Sequence, residues 1–250
     1  VRRALTIFSA VVALGLARSA YAGPTDFDPL ERVNRPIFWF NDKLDVYLLE
    51  PLAKGWDFVV PDRAQGAIGD AFDNARFPID FTNELLQGKP RYASKTLARF
   101  LLNSTLGMGG LFDVAKAAGL PSRQEDFGQT LGVWGIRNGP YLVLPVLGPS
   151  TFRDACGRAV DSPMRIWPFF VGTIPSIGIA TTETVNWRAR NLESIRDLKK
   201  GAFDYYSLVR NAYLQNREAE VSDHVEAETG TGQTETETEE DLYFTNEEEP

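Results

Sequence analysis

The chain has one cysteine, Cys156, and one histidine, His224, in 250 residues. A single thiol excludes an internal disulfide and every multi-cysteine metal site; beside Gly157, Cys156 reads as a small packing residue. The one imidazole falls in an acidic C-terminal stretch, so a Ser-His-Asp or Cys-His arrangement would have to recruit it from there. Neither a Gly-x-Ser-x-Gly elbow, a P-loop nor a Gly-x-Gly-x-x-Gly turn occurs, which removes the usual sequence support for acyl transfer and nucleotide binding. The chain is therefore read as a non-enzyme, with no catalytic residue, cofactor or metal.

A long apolar span is also missing. The run Ala4 to Ala17 is shorter than the about 20 residues a spanning helix needs. It follows Arg2 and Arg3 and leads to Ala20-Tyr21-Ala22, the pattern of a cleaved export signal. Residues 1–22 are read as that signal and 23–217 as the body. From Glu218 to Pro250 there are 13 acids and no Lys or Arg, so residues 218–250 read as a disordered acidic tail. Without tail and signal, the body has 21 acids and 23 bases. The net charge of -8 thus belongs to the tail, and nothing points to a nucleic-acid partner.

What is present is helical periodicity cut by Pro and Gly. Ile37, Phe40, Leu44, Tyr47 and Leu48 recur at steps of three and four until Pro51, which is expected to interrupt that helix. Further helices are expected from Pro61 towards Pro78, from Tyr92 to about Asn103, over Leu111 to Ala118, and over Phe127 to Trp134. Leu106-Gly107-Met108-Gly109-Gly110 reads as a hinge, because its glycines remove backbone restraint. Met108, Leu111 and Phe112 would form its apolar face. The glycines could equally serve caps and close packing. Gly139 to Pro149 should be buried extended chain, since Pro145 forbids a helix or a central strand there. Ser150 reads as the N-cap of a helix running towards Asp161, and Ser162 to Ser176 as irregular. Leu192 to Ala212 reads as one amphipathic helix, with Arg196, Lys199 and Arg210 off its seam. Five tryptophans near predicted helix ends are compatible with a membrane interface or an ordinary core.

Four ordered segments then carry a resemblance. Asp28-Pro29-Leu30-Glu31-Arg32-Val33-Asn34-Arg35, with Phe38-Trp39-Phe40-Asn41 and Leu44-Asp45, resembles the start of the mature MlaA (VacJ) family. So do Arg99-Phe100-Leu101-Leu102-Asn103 through Leu106-Gly107-Met108-Gly109-Gly110 to Asp113-Val114-Ala115; Phe127-Gly128-Gln129-Thr130-Leu131-Gly132 through Leu144-Pro145 to Arg153-Asp154; and Tyr205 to Gln215. The resemblance implies an all-α, ring-shaped domain embedded in the outer membrane around a central amphipathic channel. It implies removal of mislocalised phospholipid from the outer leaflet, delivery to a soluble periplasmic carrier, and association with trimeric porins. It also assigns Leu106 to Leu120 to a mobile hairpin controlling the channel. Asn34, Arg35, Phe40 and Asn41 are family-motif residues by resemblance alone, with Phe40 read as core. Many family members are acylated on a cysteine after the signal, whereas Gly23 follows Ala22 here, so an unlipidated chain on the periplasmic side of the outer membrane is expected. The rival readings are a structural or surface-spreading envelope protein that carries no lipid, and a phospholipase using His224.

Overall fold

The computed structural model describes residues 28–166 and 172–229. The expected export signal lies outside them, as do the end of the tail and Trp167. The architecture is all-α with one small hairpin. Helix α1 (Glu31–Leu44) continues through a π-helical segment (Asp45–Leu49) into α2 (Glu50–Val59), followed by α3 (Asp62–Ala75), α4 (Phe77–Leu86), α5 (Pro90–Thr105), α6 (Val114–Ala117) and α7 (Phe127–Val133). Strands β1 (Tyr141–Leu144) and β2 (Gly148–Thr151) precede α8 (Phe152–Asp161), a 3-10 turn (Ser162–Met164), α9 (Thr173–Arg190), α10 (Leu192–Gly201) and α11 (Tyr205–Thr229).

Several boundaries correct the sequence reading. Pro51 does not interrupt the chain: it enters the first turn of α2 behind the π-helical segment. The wider turn accommodates a residue that cannot donate a helical hydrogen bond. Thr151, not Ser150, caps α8, its hydroxyl accepting from the Asp154 N–H. Pro175 lies within α9, so the irregular stretch is shorter than expected. The supposed single C-terminal helix is two, parted after Gly201. Lys199 and Arg210 are not solvent charges either, since Lys199 pairs with Asp42 and Asp45 at 2.9 and 2.7 Å and Arg210 is buried. Finally, α11 runs through Glu218 to Thr229, where disorder is expected. Arg217 donates to Glu220 at 2.7 Å inside that extension, an i, i+3 pair that supports the helix.

The extended segment 139–149 becomes an antiparallel hairpin in which Tyr141 faces Thr151 and Leu144 faces Gly148, leaving Pro145 in the turn. The other edge of β1 is completed by side chains of α1. Asn34 donates to the Tyr141 carbonyl and accepts from the Val143 N–H, both at 3.0 Å. One helical face further along, Asn41 donates to the Leu144 carbonyl at 2.9 Å and accepts from the Val146 N–H at 2.8 Å. Two carboxamides thereby stand in for a third strand and satisfy backbone groups that would otherwise be orphaned.

A small apolar core gathers around Tyr141, Val143 and Tyr206, but among the described residues buried polar side chains outnumber buried apolar ones. The largest fully buried side chains are Gln65, Glu84, Asn34, Asn83, Thr130, Thr151 and Ser150. Large apolar residues instead face outward along most of the described length: Trp39, Tyr47, Phe58, Leu101, Met108, Trp134, Val146, Ile177, Trp187 and Phe203 are all exposed. Apolar surface normally drives burial at about 25 cal/mol per Å², so an exterior of this kind implies a non-aqueous neighbour or a partner. No helix among the described residues is long and apolar enough to cross a membrane.

Candidate functional site

The glycine-rich segment follows directly from α5. The Gly107 N–H donates to the Leu102 carbonyl at 3.1 Å, the Gly109 N–H to Ser104 at 3.1 Å, the Gly110 N–H to Asn103 at 2.8 Å, and the Phe112 N–H back to Gly107 at 3.0 Å. The three glycines have different jobs. A Cβ on Gly107 would meet the Phe112 and Asn103 carbonyls at 2.3 and 2.5 Å, so this position is close-packed. Gly110 combines φ +96 with the Asn74 side chain 2.6 Å from a would-be Cβ. Gly109 has φ +76 and nothing within 4 Å, so there glycine serves conformation alone. Met108 also adopts a positive φ of 53. Leu106, Met108, Leu111 and Phe112 all point outward.

The base of the turn is bolted. Arg99 donates to both Asp113 oxygens at 3.0 Å and to the Leu120 carbonyl. Asn103 donates to Asp113 at 3.0 Å and accepts from the Ala115 N–H at 2.9 Å. Asn74 of α3 donates to the Ser104 hydroxyl at 3.0 Å. These side-chain bonds hold the base of the turn, below the Met108–Gly109 tip.

Beneath this turn lies a shallow polar cleft between α3, α4, α5 and the segment leading to α7; Asp70, Asp73, Asp80, Arg99, Asp113 and Arg123 line it. Burial pushes the Asp80 carboxyl up to about 7, with Arg76 only partly opposing. Asp80 accepts on Oδ1 from the Glu125 N–H at 3.0 Å and from Arg76 at 3.3 Å. On the other side of that pair a second shallow cleft opens between Phe72, Ile79, Ile166, Arg76, Arg165 and Glu183. Arg76 and Asp80 thus form part of a wall between a polar and an amphipathic space. Among the described residues no cluster of His, Cys, Asp and Glu could hold a metal ion.

The sequence-marked residues divide between these places. Leu106, Gly107, Met108, Gly109, Gly110, Leu111 and Phe112 form the turn above the polar cleft. Asn34 and Asn41 are far from it and hold the β hairpin. Arg35 pairs with Glu31 and Asp204 at 2.6 Å and lies 4.5 Å from the centre of the Tyr206 ring, joining α1 to the start of α11. Phe40 is 49% exposed and not core, because its side of α1 faces away from the hairpin that Asn34 and Asn41 grip. Sequence reasoning missed Arg76 and Asp80. Their i, i+4 spacing around Pro78 was the available signal, but such pairs are ordinary on helix surfaces.

Residues 26–220 match the family model described as MlaA lipoprotein. Similar curated proteins include "Intermembrane phospholipid transport system lipoprotein MlaA" of Haemophilus influenzae, 36% identical over 201 residues, covering 78% of this chain and 80% of that one. The protein of the same name in Escherichia coli K12 is 36% identical over 200 residues, covering 76% and 77%. An uncharacterized protein of Rickettsia felis is 35% identical, with 78% of each chain covered. A solved structure described as "Structural basis for maintenance of bacterial outer membrane lipid asymmetry" superposes with a TM-score of 0.70 at 36% identity, covering 78% of this chain and 99% of that one. The word lipoprotein in those names runs against the expectation of an unlipidated chain, and the residues at issue lie outside the described ones. With the matched family model spanning nearly all of the described fold, the chain belongs to the MlaA lipoprotein family.

Proposed function

We propose that this protein is embedded in the outer membrane as a helical ring and moves phospholipid through a central amphipathic channel, from the outer leaflet to a soluble periplasmic carrier. The observation that carries this reading is the surface: large aromatic and aliphatic side chains are exposed along most of the described length, while buried polar residues outnumber buried apolar ones. Helices can lie within a bilayer with their backbone bonds internally satisfied, so no spanning helix is required. The cleft beneath the glycine turn gives a headgroup polar surroundings, and the second cleft adds apolar side chains for acyl chains. Moving a lipid this way needs no covalent step, in keeping with a chain read as a non-enzyme. The turn from Leu106 to Phe112 is the moving part, a trimeric porin the membrane partner, and lipid asymmetry the outcome.

Deleting the gene should raise surface-exposed phospholipid and detergent sensitivity, and restoring it should reverse both. Unchanged outer-leaflet composition in the deletion strain would sink the transport reading and favour a structural envelope role. The apolar exterior should also hold the protein on outer-membrane vesicles through a carbonate wash; release by carbonate would count against embedding.

A further inference from the structure

Arg76 is a poorly satisfied cation in a place where satisfaction should be easy. Its side chain is only 29% exposed, yet its contacts are long: 3.3 Å to Asp80 and 3.4 Å to the Glu125 carbonyl. Its Nε is buried with no hydrogen-bond partner. Charge-assisted contacts of arginine normally close to about 2.7 to 2.9 Å, and a buried donor without an acceptor is costly. The carboxylate facing Arg76 is itself an incomplete counter-ion, since burial pushes Asp80 up to about 7.

Arg76 also lines the second cleft, where Arg165 stands near it. Arg165 meets Glu183 only at 3.9 Å, an ion pair without a hydrogen bond, and is half exposed. The charged lining is thus two arginines against one glutamate, set among Phe72, Ala75, Ile79 and Ile166. Planar guanidinium groups match the oxygens of a phosphate ester in a way that a lysine ammonium does not. Polar donors next to apolar groups are what an amphiphile needs.

We propose that this cleft is a phosphodiester-recognition subsite for phospholipid, in which Arg76 and Arg165 hold the headgroup phosphate and Phe72, Ile79 and Ile166 face the start of the acyl chains. The proposal rests on the lipid-transport reading and gives it a headgroup contact. It makes phosphate, not the alcohol attached to it, the recognised group, because no donor set for a particular alcohol lines this cleft.

The test uses the full chain, purified in mild detergent and equilibrated with phosphatidylglycerol, phosphatidylethanolamine or a diacylglycerol of the same chains; retained lipid is counted after gel filtration. Wild type should retain both phospholipids in preference to diacylglycerol. Arg165→Gln, at a half-exposed position, should lower phospholipid retention several-fold, and Arg76→Gln with Arg165→Gln by about tenfold or more. Diacylglycerol retention should not change, and Arg76→Lys should restore little. Circular dichroism separates loss of binding from loss of fold. Phospholipid retention equal to wild type in the folded double variant overturns the subsite while leaving transport intact, whereas a wild type that retains no lipid overturns both. Inorganic phosphate or glycerophosphoethanolamine should compete only weakly; competition by either as effective as that of intact lipid would assign the cleft to a soluble anion and overturn its role for lipid.

Discussion

Two buried arginine-carboxylate groups in this protein are built from the same chemistry and finished differently. Arg217 on α11 donates to both oxygens of Asp126 at 2.8 and 2.9 Å and to Asp154 at 2.9 and 3.2 Å. The Tyr213 hydroxyl adds a bond to Asp154 at 2.7 Å. Burial alone would raise the Asp154 carboxyl, but the bonds from Arg217 override it and hold the group at about 2. Arg76 and Asp80 have the opposite character, with long contacts, an orphaned Nε and a carboxyl near neutrality. A saturated cluster is scaffold, because nothing more can be added to it. An unsaturated one at the edge of a cleft keeps bonding capacity for something that arrives later.

Removing the central cation of each cluster should break the comparison most visibly. Arg217→Met leaves Asp126 and Asp154 without their bridge and should cost about 3 to 5 kcal/mol, read as a large fall in the thermal midpoint in detergent. Arg76→Met should cost much less, about 1 kcal/mol, since its contacts are long and Asp80 can take up a proton. Equal losses would erase the distinction between scaffold and site.

The pH dependence of the two carboxylates should run in opposite directions. Asp154, depressed to about 2, contributes stability that is complete above about pH 4 and drains away as pH falls through about 2. Asp80, raised to about 7, brings a penalty that is absent below about pH 4 and complete above about pH 7. Asp80→Asn should therefore stabilise the protein relative to wild type at about pH 8 and leave it unchanged at about pH 4. Thermal midpoints across that range decide; a variant advantage at acid pH would contradict the assignment.

Smaller effects are expected in the turn. Gly107→Ala forces a Cβ into two backbone carbonyls and should cost more than Gly109→Ala, which meets open space and carries only the left-handed backbone penalty of about 1 kcal/mol. Gly109→Pro can keep neither the φ of +76 nor the N–H bond to the Ser104 carbonyl, so it should rearrange the tip while leaving helix content intact, and impair lipid transfer. Normal transfer would mean that the shape of the tip does not matter. Smallest of all for folding is Phe58→Ser on α2, which is 91% exposed: stability in detergent should be unchanged while partitioning into vesicles weakens.

Much of this was legible in the sequence, and the boundary of legibility is physical. The glycine turn could be read because three glycines in four positions change backbone statistics whatever surrounds them. Helices with apolar stripes could be read for the same reason, although the direction in which a stripe faces could not: Phe40 follows helical periodicity whether the neighbour is core or lipid. Pro51 was misjudged because a π-helical turn ahead of it depends on the whole length of helix on both sides. Arg217 and Asp154 are far apart in sequence, and only the docking of α11 on α7 and α8 joins them. Arg76 and Asp80 are near in sequence, but their incompleteness is a matter of tenths of an ångström.

The bond from the Tyr206 hydroxyl to Asp28 ties the start of α1 to the start of α11. Asn34 brings its amide to the same carboxylate at 3.1 Å, so one acid gathers groups from two distant parts of the chain. Like a buckle, it can fasten only when the far end of the strap has come through. During folding, α1 and its hairpin wait with an open clasp until residue 206 arrives, and closure over so long a loop is slow. Until then the exposed apolar surface is unfastened and open to association with other chains.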